Sequence, residues 1–237
     1  MQDRYVGDIG DFAKYGLLRA INEGRNLGVA WYLHPPDPGR PGDGRHTQYL
    51  RRPDKWRHLD CQLFDDLRKI VDREQRSIAA VQESGILGDA IFADEPLDMK
   101  NVPVRCRTNW RRTWFERVKE TLADCDLVFA DPDNGIVPEE KFSPTRKRST
   151  KSISVGEARD IAKGRTAVIY HHNTRRKGGH RKEIRHWMSE LPGCTRAWYW
   201  RRWSNRTFFI VNPDNRMESQ LKEFAERWKK CGKLLPQ

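Results

Sequence analysis

Long apolar runs are missing from this chain. No stretch approaches the ~20 apolar residues that a membrane-spanning helix requires, so no membrane partner is expected. The opening Met1-Gln2-Asp3-Arg4-Tyr5 has neither the basic start nor the apolar segment of a secretory signal, and a cytoplasmic location is expected. Cysteine is scarce: five residues in 237, odd in number and scattered, with no Cys-x-x-Cys pair. That spacing gives no basis for a disulfide framework or a zinc site, and no metal is expected. Acid is short relative to base, with 33 Asp+Glu against 45 Lys+Arg and a net charge of +12.

What is present is a globular composition, 37% hydrophobic and 33% charged, unlike that of a disordered chain. The excess positive charge is clustered. Clusters fall between Arg105 and Arg112, at Arg146-Lys147-Arg148, and at Arg175-Arg176-Lys177 with Arg181-Lys182. Clustered base points to a polyanion, and to nucleic acid above all. Several of the nine tryptophans stand beside arginines (Trp110-Arg111, Trp200-Arg201, Arg202-Trp203) and supply faces on which bases stack. Trp198 and Trp200 lie two apart in a strand-like run, share one face and read as core or sheet surface.

Strand and helix patterns alternate along the chain. Phe12 to Ile21 reads as a helix opened by Gly10-Asp11 and ended by Gly24. Val29 to Leu33 is a first buried strand, followed by a Pro/Gly/Asp loop around 35–46. Leu63 to Val81 has helical periodicity, and Ala90 to Ala93 is a short strand. Trp110 to Leu122 is helical, with Trp114, Val118 and Leu122 on one face. Leu127 to Ala130 is a buried strand, and a polar basic loop spans about 136–151. Ser154-Val155-Gly156-Glu157 is a capping box. Ala167 to His171 is another strand, and Gly179 to Leu191 another helix. Thr195 to Trp203 and Thr207 to Val211 form a hairpin turning at Ser204-Asn205, and Met217 to Trp228 closes the chain as a helix. The expected fold is a single α/β domain over 1–237, a Rossmann-like three-layer sandwich whose mostly parallel sheet ends in an antiparallel hairpin.

Three constellations carry chemistry. Asp131-Pro132-Asp133-Asn134 follows the buried strand, and ligands in open α/β sheets sit outside the carboxyl ends of the strands. Two nearby carboxylates suit acid/base work because one can be pushed to a raised pKa, and an Asn side chain can read a base edge with donor and acceptor. A plain turn at Asp133-Asn134-Gly135 is the alternative. The second constellation is His171-His172-Asn173-Thr174-Arg175-Arg176-Lys177. If the two strands are neighbours, it faces the same crevice as the tetrad. The third is Asp8, Asp11 and Lys14. Asp11 either caps a helix or pairs with Lys14 three residues on, and Gly7 and Gly10 imply close backbone approach to something.

The order of elements and three segments resemble the bacterial methyltransferase J family, which methylates adenine N6 in large-subunit ribosomal RNA. Gly7-Asp8-Ile9-Gly10-Asp11-Phe12-Ala13-Lys14-Tyr15 resembles that family's Gly-Asn-His-Ala-Asp-Val-x-Lys-His. Asp131-Pro132-Asp133-Asn134 stands at its Asp-Pro-Pro-Tyr. Phe208 to Pro213 resembles its Ile-Val-x-Asn-Pro-Pro. The opening Tyr5-Val6-Gly7-Asp8-Ile9-Gly10-Asp11-Phe12 is typical of a group of bacterial proteins. The resemblance implies a class I methyltransferase-type fold and an active site at Asp131, near the Asp8–Lys14 segment. Two departures follow. The glycine-rich methyl-donor loop after the first strand is replaced by Tyr32-Leu33-His34-Pro35-Pro36, with Gly42-Asp43-Gly44-Arg45 only later. The stacking Tyr of the tetrad is Asn134, and its second Pro is Asp133. The His171 segment also resembles the second motif of uracil-DNA glycosylases, a strand ending in His before a loop that enters the minor groove.

These readings converge on chemistry performed on a base flipped from its stack. The first expectation is a cofactor-free DNA glycosylase in repair or anti-phage defence, with no obligate protein partner and with DNA favoured over RNA. Asp131, Asp133 and His171 would be catalytic. Asn134, Asn173, Asp8, Asp11 and Tyr5 would bind the base. Lys14, Arg45, His46, Trp110, Arg146, Lys147, Arg175, Arg176, Lys177 and Arg181 would hold the nucleic acid. The alternatives are an S-adenosylmethionine-dependent adenine-N6 methyltransferase, an inactive nucleic-acid-binding module and a metal-dependent nuclease.

Overall fold

Alternating apolar stretches and capped helices fold into a seven-stranded sheet with helices on both faces. The computed structural model describes residues 1–35 and 44–237. The expected loop at 35–46 and the pair Gly42-Asp43 therefore lie largely outside the described residues. In chain order the elements are α1 (Ile9–Ile21), β1 (Leu27–Trp31), α2 (Pro53–Trp56), α3 (Cys61–Asp72), α4 (Ile78–Glu83) and β2 (Ile91–Ala93). They continue with α5 (Arg107–Thr121), β3 (Leu127–Asp131), β4 (Gly135–Val137), β5 (Ser152–Ser154), α6 (Val155–Ile161) and β6 (Thr166–His172). The last are α7 (Gly179–Glu190), β7 (Cys194–Trp200), β8 (Arg206–Val211), α8 (Asn215–Arg227) and β9 (Gly232–Pro236).

The main sheet has the order β2-β1-β3-β6-β8-β7-β9. The pairs β1–β2, β1–β3 and β3–β6 are parallel, and β6–β8, β7–β8 and β7–β9 are antiparallel. The expected α/β architecture is present, with a parallel half running into antiparallel strands. Five strands share one direction, because β7 again runs with β6. The edge strand β9 is an addition to the expectation, as is the two-stranded parallel sheet of β4 and β5.

The strand pleat divides the core in two, since successive side chains point to opposite faces. Leu127 and Phe129 of β3, with Val168 and Tyr170 of β6, pack on one face against α1, α3 and α8. Val128, Ala130, Ala167 and Ile169 pack on the other against α5, α6 and α7. β1 and β3 are buried throughout, as parallel strands covered on both sides must be. Trp198 and Trp200 are fully buried on the first face, in the core rather than on the sheet surface.

Local boundaries follow their caps. α1 begins at Asp8, whose carboxylate accepts from Gly10 N at 2.8 Å. Of the two roles open to Asp11, capping falls to Asp8, and Asp11 lies inside the first turn and pairs with Lys14. The capping box of Ser154 and Glu157 is formed. The helical pattern expected from Leu63 to Val81 is two helices, not one. Glu74 takes a left-handed conformation (φ 58°), and Ser77 and Asp3 accept the first N–H groups of α4. The expected strand to Trp203 stops at Trp200, whose indole N–H donates to Arg202 O and turns the chain.

Candidate active site

The acids expected from two separate segments, Asp8 with Asp11 and Asp131 with Asp133, meet outside the carboxyl ends of β1 and β3. Asp131 ends β3, the strand at the centre of the parallel half. The pleat that sends Leu127 and Phe129 toward α1 sends Asp131 the same way, onto Lys14. Lys14 Nζ lies 2.8 Å from Asp131 and 2.9 Å from Asp11. Asp11 also accepts from Gly7 N at 3.2 Å, and Asp8 pairs with Arg206 at 3.6 Å. Asp8, Asp11, Lys14 and Asp131 are all buried. The Gly10 position explains the close approach expected of the Gly7–Gly10 segment. A Cβ there would stand 0.9 Å from the Arg206 guanidinium, so only glycine admits that arginine to Asp8.

One lysine serves two carboxylates, and the electrostatics reflect it. Burial pushes Asp11 up to about 6, although Lys14 pulls it down. Burial works against the charge on Lys14, but Asp11 and Asp131 outweigh it and hold the ammonium well above its usual range. Tyr170 is raised to about 12, chiefly by burial. Two carboxyl groups around a shared cation, one of them raised to about 6, are an arrangement able to hold or pass on a proton.

The chain itself covers this centre. Met1 N donates to Tyr32 O at 2.6 Å and lies 3.3 Å from Asp133. Gln2 Nε2 donates to Asp133 at 3.1 Å, and His34 N donates to Met1 O at 3.3 Å. Lys151 reaches Asp133 at 4.0 Å. The space beyond the end of β1 is thus filled by Met1 and Gln2. Gln2 Oε1, Tyr49 Oη and Arg206 Nε are buried around the acids without a hydrogen-bond partner. Unpaired groups of this kind are unusual in a core.

The second constellation divides across the sheet. β3 and β6 are neighbours, as the shared crevice requires, but Ala130 is level with Ile169. Asp131 is therefore level with Tyr170, and His171 points to the opposite face. His171 is buried against Trp187 and Phe209. Its Nδ1 accepts from Ile136 N at 3.0 Å and its Nε2 lies 3.2 Å from Glu183. Burial lowers its pKa against the pull of Glu183. Both ring nitrogens are engaged, which corrects the picture of His171 facing the Asp131 crevice. Asn173 is also buried there, donating to Glu183 at 3.3 Å and accepting from Thr207 at 2.8 Å. Its amide is used up by the fold and does not face the acids. Burial works to raise Glu183, but hydrogen bonds from His171 and Thr174 prevail and bring it down to about 2.

The remaining expected residues form a rim. Asn134 is exposed, and its N–H donates to Lys151 O at 2.7 Å. Tyr5 is half-buried in a short 3-10 turn. Arg146, Lys147, Arg175, Arg176, Lys177, Arg181, Arg45 and His46 are exposed, on segments that leave the same end of the sheet as the acids. Trp110 is half-buried and packs on the second core cluster. Beside it, Arg111 belongs to the basic cluster expected to face nucleic acid, but it turns inward. It is buried, bonds Glu157 twice at 2.7 Å, and donates to Ser149 O and Ser152 O at 3.4 and 3.0 Å. Arg206 escaped the sequence reading. Its signal was a charged residue in phase with the core residues Phe208 and Ile210.

A cleft of about 650 Å³ opens at the opposite end of the sheet, between Asp124, Asp126, Lys163, Arg165 and Asn212. Among the described residues no group of three His, Cys, Asp or Glu side chains is arranged to hold a metal ion, and no helix is long and apolar enough to cross a membrane. No protein-family model matches the chain, and no curated protein matches it.

Proposed function

We propose that this protein is a nucleic-acid enzyme that accepts one base flipped out of DNA and hydrolyses its N-glycosidic bond without a cofactor. The observation that carries this reading is the Asp11–Lys14–Asp131 cluster at the carboxyl end of β3, with Asp133 two residues on. Asp131, ion-paired with Lys14, steadies positive charge as it develops on the sugar. Asp133 orients a water and takes its proton as the water oxygen bonds to the anomeric carbon. Asp11, raised to about 6, gives its proton to the departing base as the carbon–nitrogen bond breaks. Asn134 on the rim reads the base edge. His171 and Asn173 act from the other face as positioning residues, because with Glu183 they fix the start of the loop bearing Arg175, Arg176 and Lys177. Entry of a base requires Gln2, which is buried, and Arg206, whose side chain is 14% exposed, to swing aside.

The scaffold reads as methyltransferase-like, and its strand order together with Asp131 at the catalytic corner favours a second reading, transfer of a methyl group to a base amine. Against it stand Met1 and Gln2 on the end of β1, where the donor would be held. A titration with S-adenosylmethionine giving micromolar binding would decide for methyl transfer. The direct test incubates the enzyme with DNAs carrying natural and modified bases and then treats them with alkali. Strand breaks at one base type are expected with the native protein. With Asp131→Asn they are expected to disappear while DNA affinity is retained. Alkali-labile sites made equally well by Asp131→Asn, or by neither protein on any DNA, would remove the proposal.

A further inference from the structure

Trp203 stands apart from the other tryptophans. It is 53% exposed, and no other Phe, Tyr or Trp among the described residues is exposed. Its backbone is left-handed (φ 61°), a conformation that a bulky residue adopts only at a cost. The tip of the β7–β8 hairpin holds it there. Trp200 Nε1 and Ser204 N both donate to Arg202 O, at 2.8 and 2.7 Å. Arg201 N donates to Cys231 O at 3.2 Å, and the Arg202 guanidinium donates to Lys230 O at 2.9 Å. A strained turn braced at four points presents an indole to solvent.

The inner side of that indole rests on other rings. Trp203 lies 5.6 Å from Trp56 and 6.3 Å from His46, centroid to centroid. Trp56 in turn meets Tyr49 at 6.1 Å, and Tyr49 stacks on Phe12 of α1 at 5.2 Å. The row of rings leads from the surface into the core. It also leads to the acids, because His46 O accepts the N–H of Ile9, next to Asp8, at 3.0 Å. Arg206, three residues after Trp203, is the arginine that reaches Asp8. The surroundings are basic. Arg45, Arg51, Arg52, Lys55, Arg201 and Arg202 are exposed, and Asp54 is the one acid within 44–58 and 201–206.

We propose that Trp203, backed by Trp56 and His46, is a stacking platform for an unpaired base of single-stranded DNA beside the base that enters the Asp131 centre. An exposed ring offers a face to any base, and neighbouring arginines take the phosphates on either side. Charge complementarity selects a polyanion, and the open indole selects one that carries planar rings. The proposal rests on the nucleic-acid reading given above, but not on which bond is cleaved.

The test measures fluorescence anisotropy with a labelled single-stranded DNA and with an oligomer of equal length and charge whose residues lack bases. Trp203→Ala is expected to weaken binding of the DNA by roughly 5- to 150-fold and to leave the base-free oligomer unaffected. Trp203→Phe is expected to keep most of the affinity. Circular dichroism verifies that the exposed position tolerates both changes. Equal weakening of both oligomers by Trp203→Ala, no weakening of either, or no binding of single-stranded DNA by the native protein would overturn the platform. Selective weakening in a protein that releases no base would leave the platform standing and remove the glycosylase reading.

Discussion

Glu183 is predicted to act as an acid-sensitive latch on the loop that carries Arg175, Arg176 and Lys177. Its carboxylate accepts from Thr174 N at 3.0 Å to each oxygen, from Thr174 Oγ1 at 2.6 Å and from Asn173 Nδ2 at 3.3 Å, and it meets His171 at 3.2 Å. Burial works to raise it, but the bonds from His171 and Thr174 prevail and bring it from 4.5 to about 2. A fall of that size corresponds to about 3 kcal/mol of stability. A carboxylate lowered in the folded state contributes fully above its unfolded value, and the contribution disappears as pH drops toward the folded one. The window here is from 4.5 down to about 2. His171 is also lowered by burial, so the unfolded chain takes up that proton first and stability begins to fall below the usual histidine range. Glu183→Gln keeps the shape and one acceptor but removes the charge. It is expected to cost up to about 3 kcal/mol at neutral pH. Loss of the carboxylate also lowers His171 further, so the gap from the native protein widens slightly on mild acidification and then closes below 4.5. Urea unfolding followed by tryptophan fluorescence, from about pH 7 to about pH 3, measures that gap. A gap that stays constant across the series would refute the latch.

Asp11 is predicted to behave with the opposite sign. A carboxyl raised to about 6 binds its proton in the fold before the unfolded chain does, so it costs stability as pH rises from 3.8 through about 6. Asp11→Asn is therefore expected to gain stability relative to the native protein across that window. Unfolding curves at both ends measure it, and an unchanged difference would contradict the raised value. Arg111→Met strips a buried pair from Glu157 and leaves two carbonyls without their donor. A loss of about 3–5 kcal/mol is expected, together with faster tryptic cutting at Lys147 and Arg148. Unchanged cutting would show that Arg111 does not hold the 143–151 loop.

Much of the architecture was legible because local chemistry and period agree. Ser154 and Glu157 announce a helix start that the fold uses unchanged. Leu127 to Ala130 is apolar at every position, and a strand covered on both faces requires that. Trp198 and Trp200 are two apart and both enter the core. The break at Glu74 was not legible, because the acceptor that starts α4 includes Asp3, 75 residues away from Ile78. β9 was missed since Gly232 to Pro236 is short and half-exposed, and β7 supplies the edge that makes it a strand.

At the candidate site the residue types and the strand ends were readable in the chain. An acid after a buried run, basic clusters on the following loops and a Gly-Asp-Ile-Gly-Asp opening all announced themselves by composition and spacing. Which of them meet was decided only by the sheet. Spacing says that His171 and Tyr170 face opposite ways, but not which of the two shares a face with Asp131. The register of β3 against β6 answers that, setting Ala130 level with Ile169. The register is made by backbone hydrogen bonds and by the packing of two whole cores, and no local run of side chains encodes it. The same long-range assembly brings Lys14 to Asp131 across 117 residues and Arg206 to Asp8, and it leaves Trp203 in the solvent while eight other tryptophans pack wholly or partly inside.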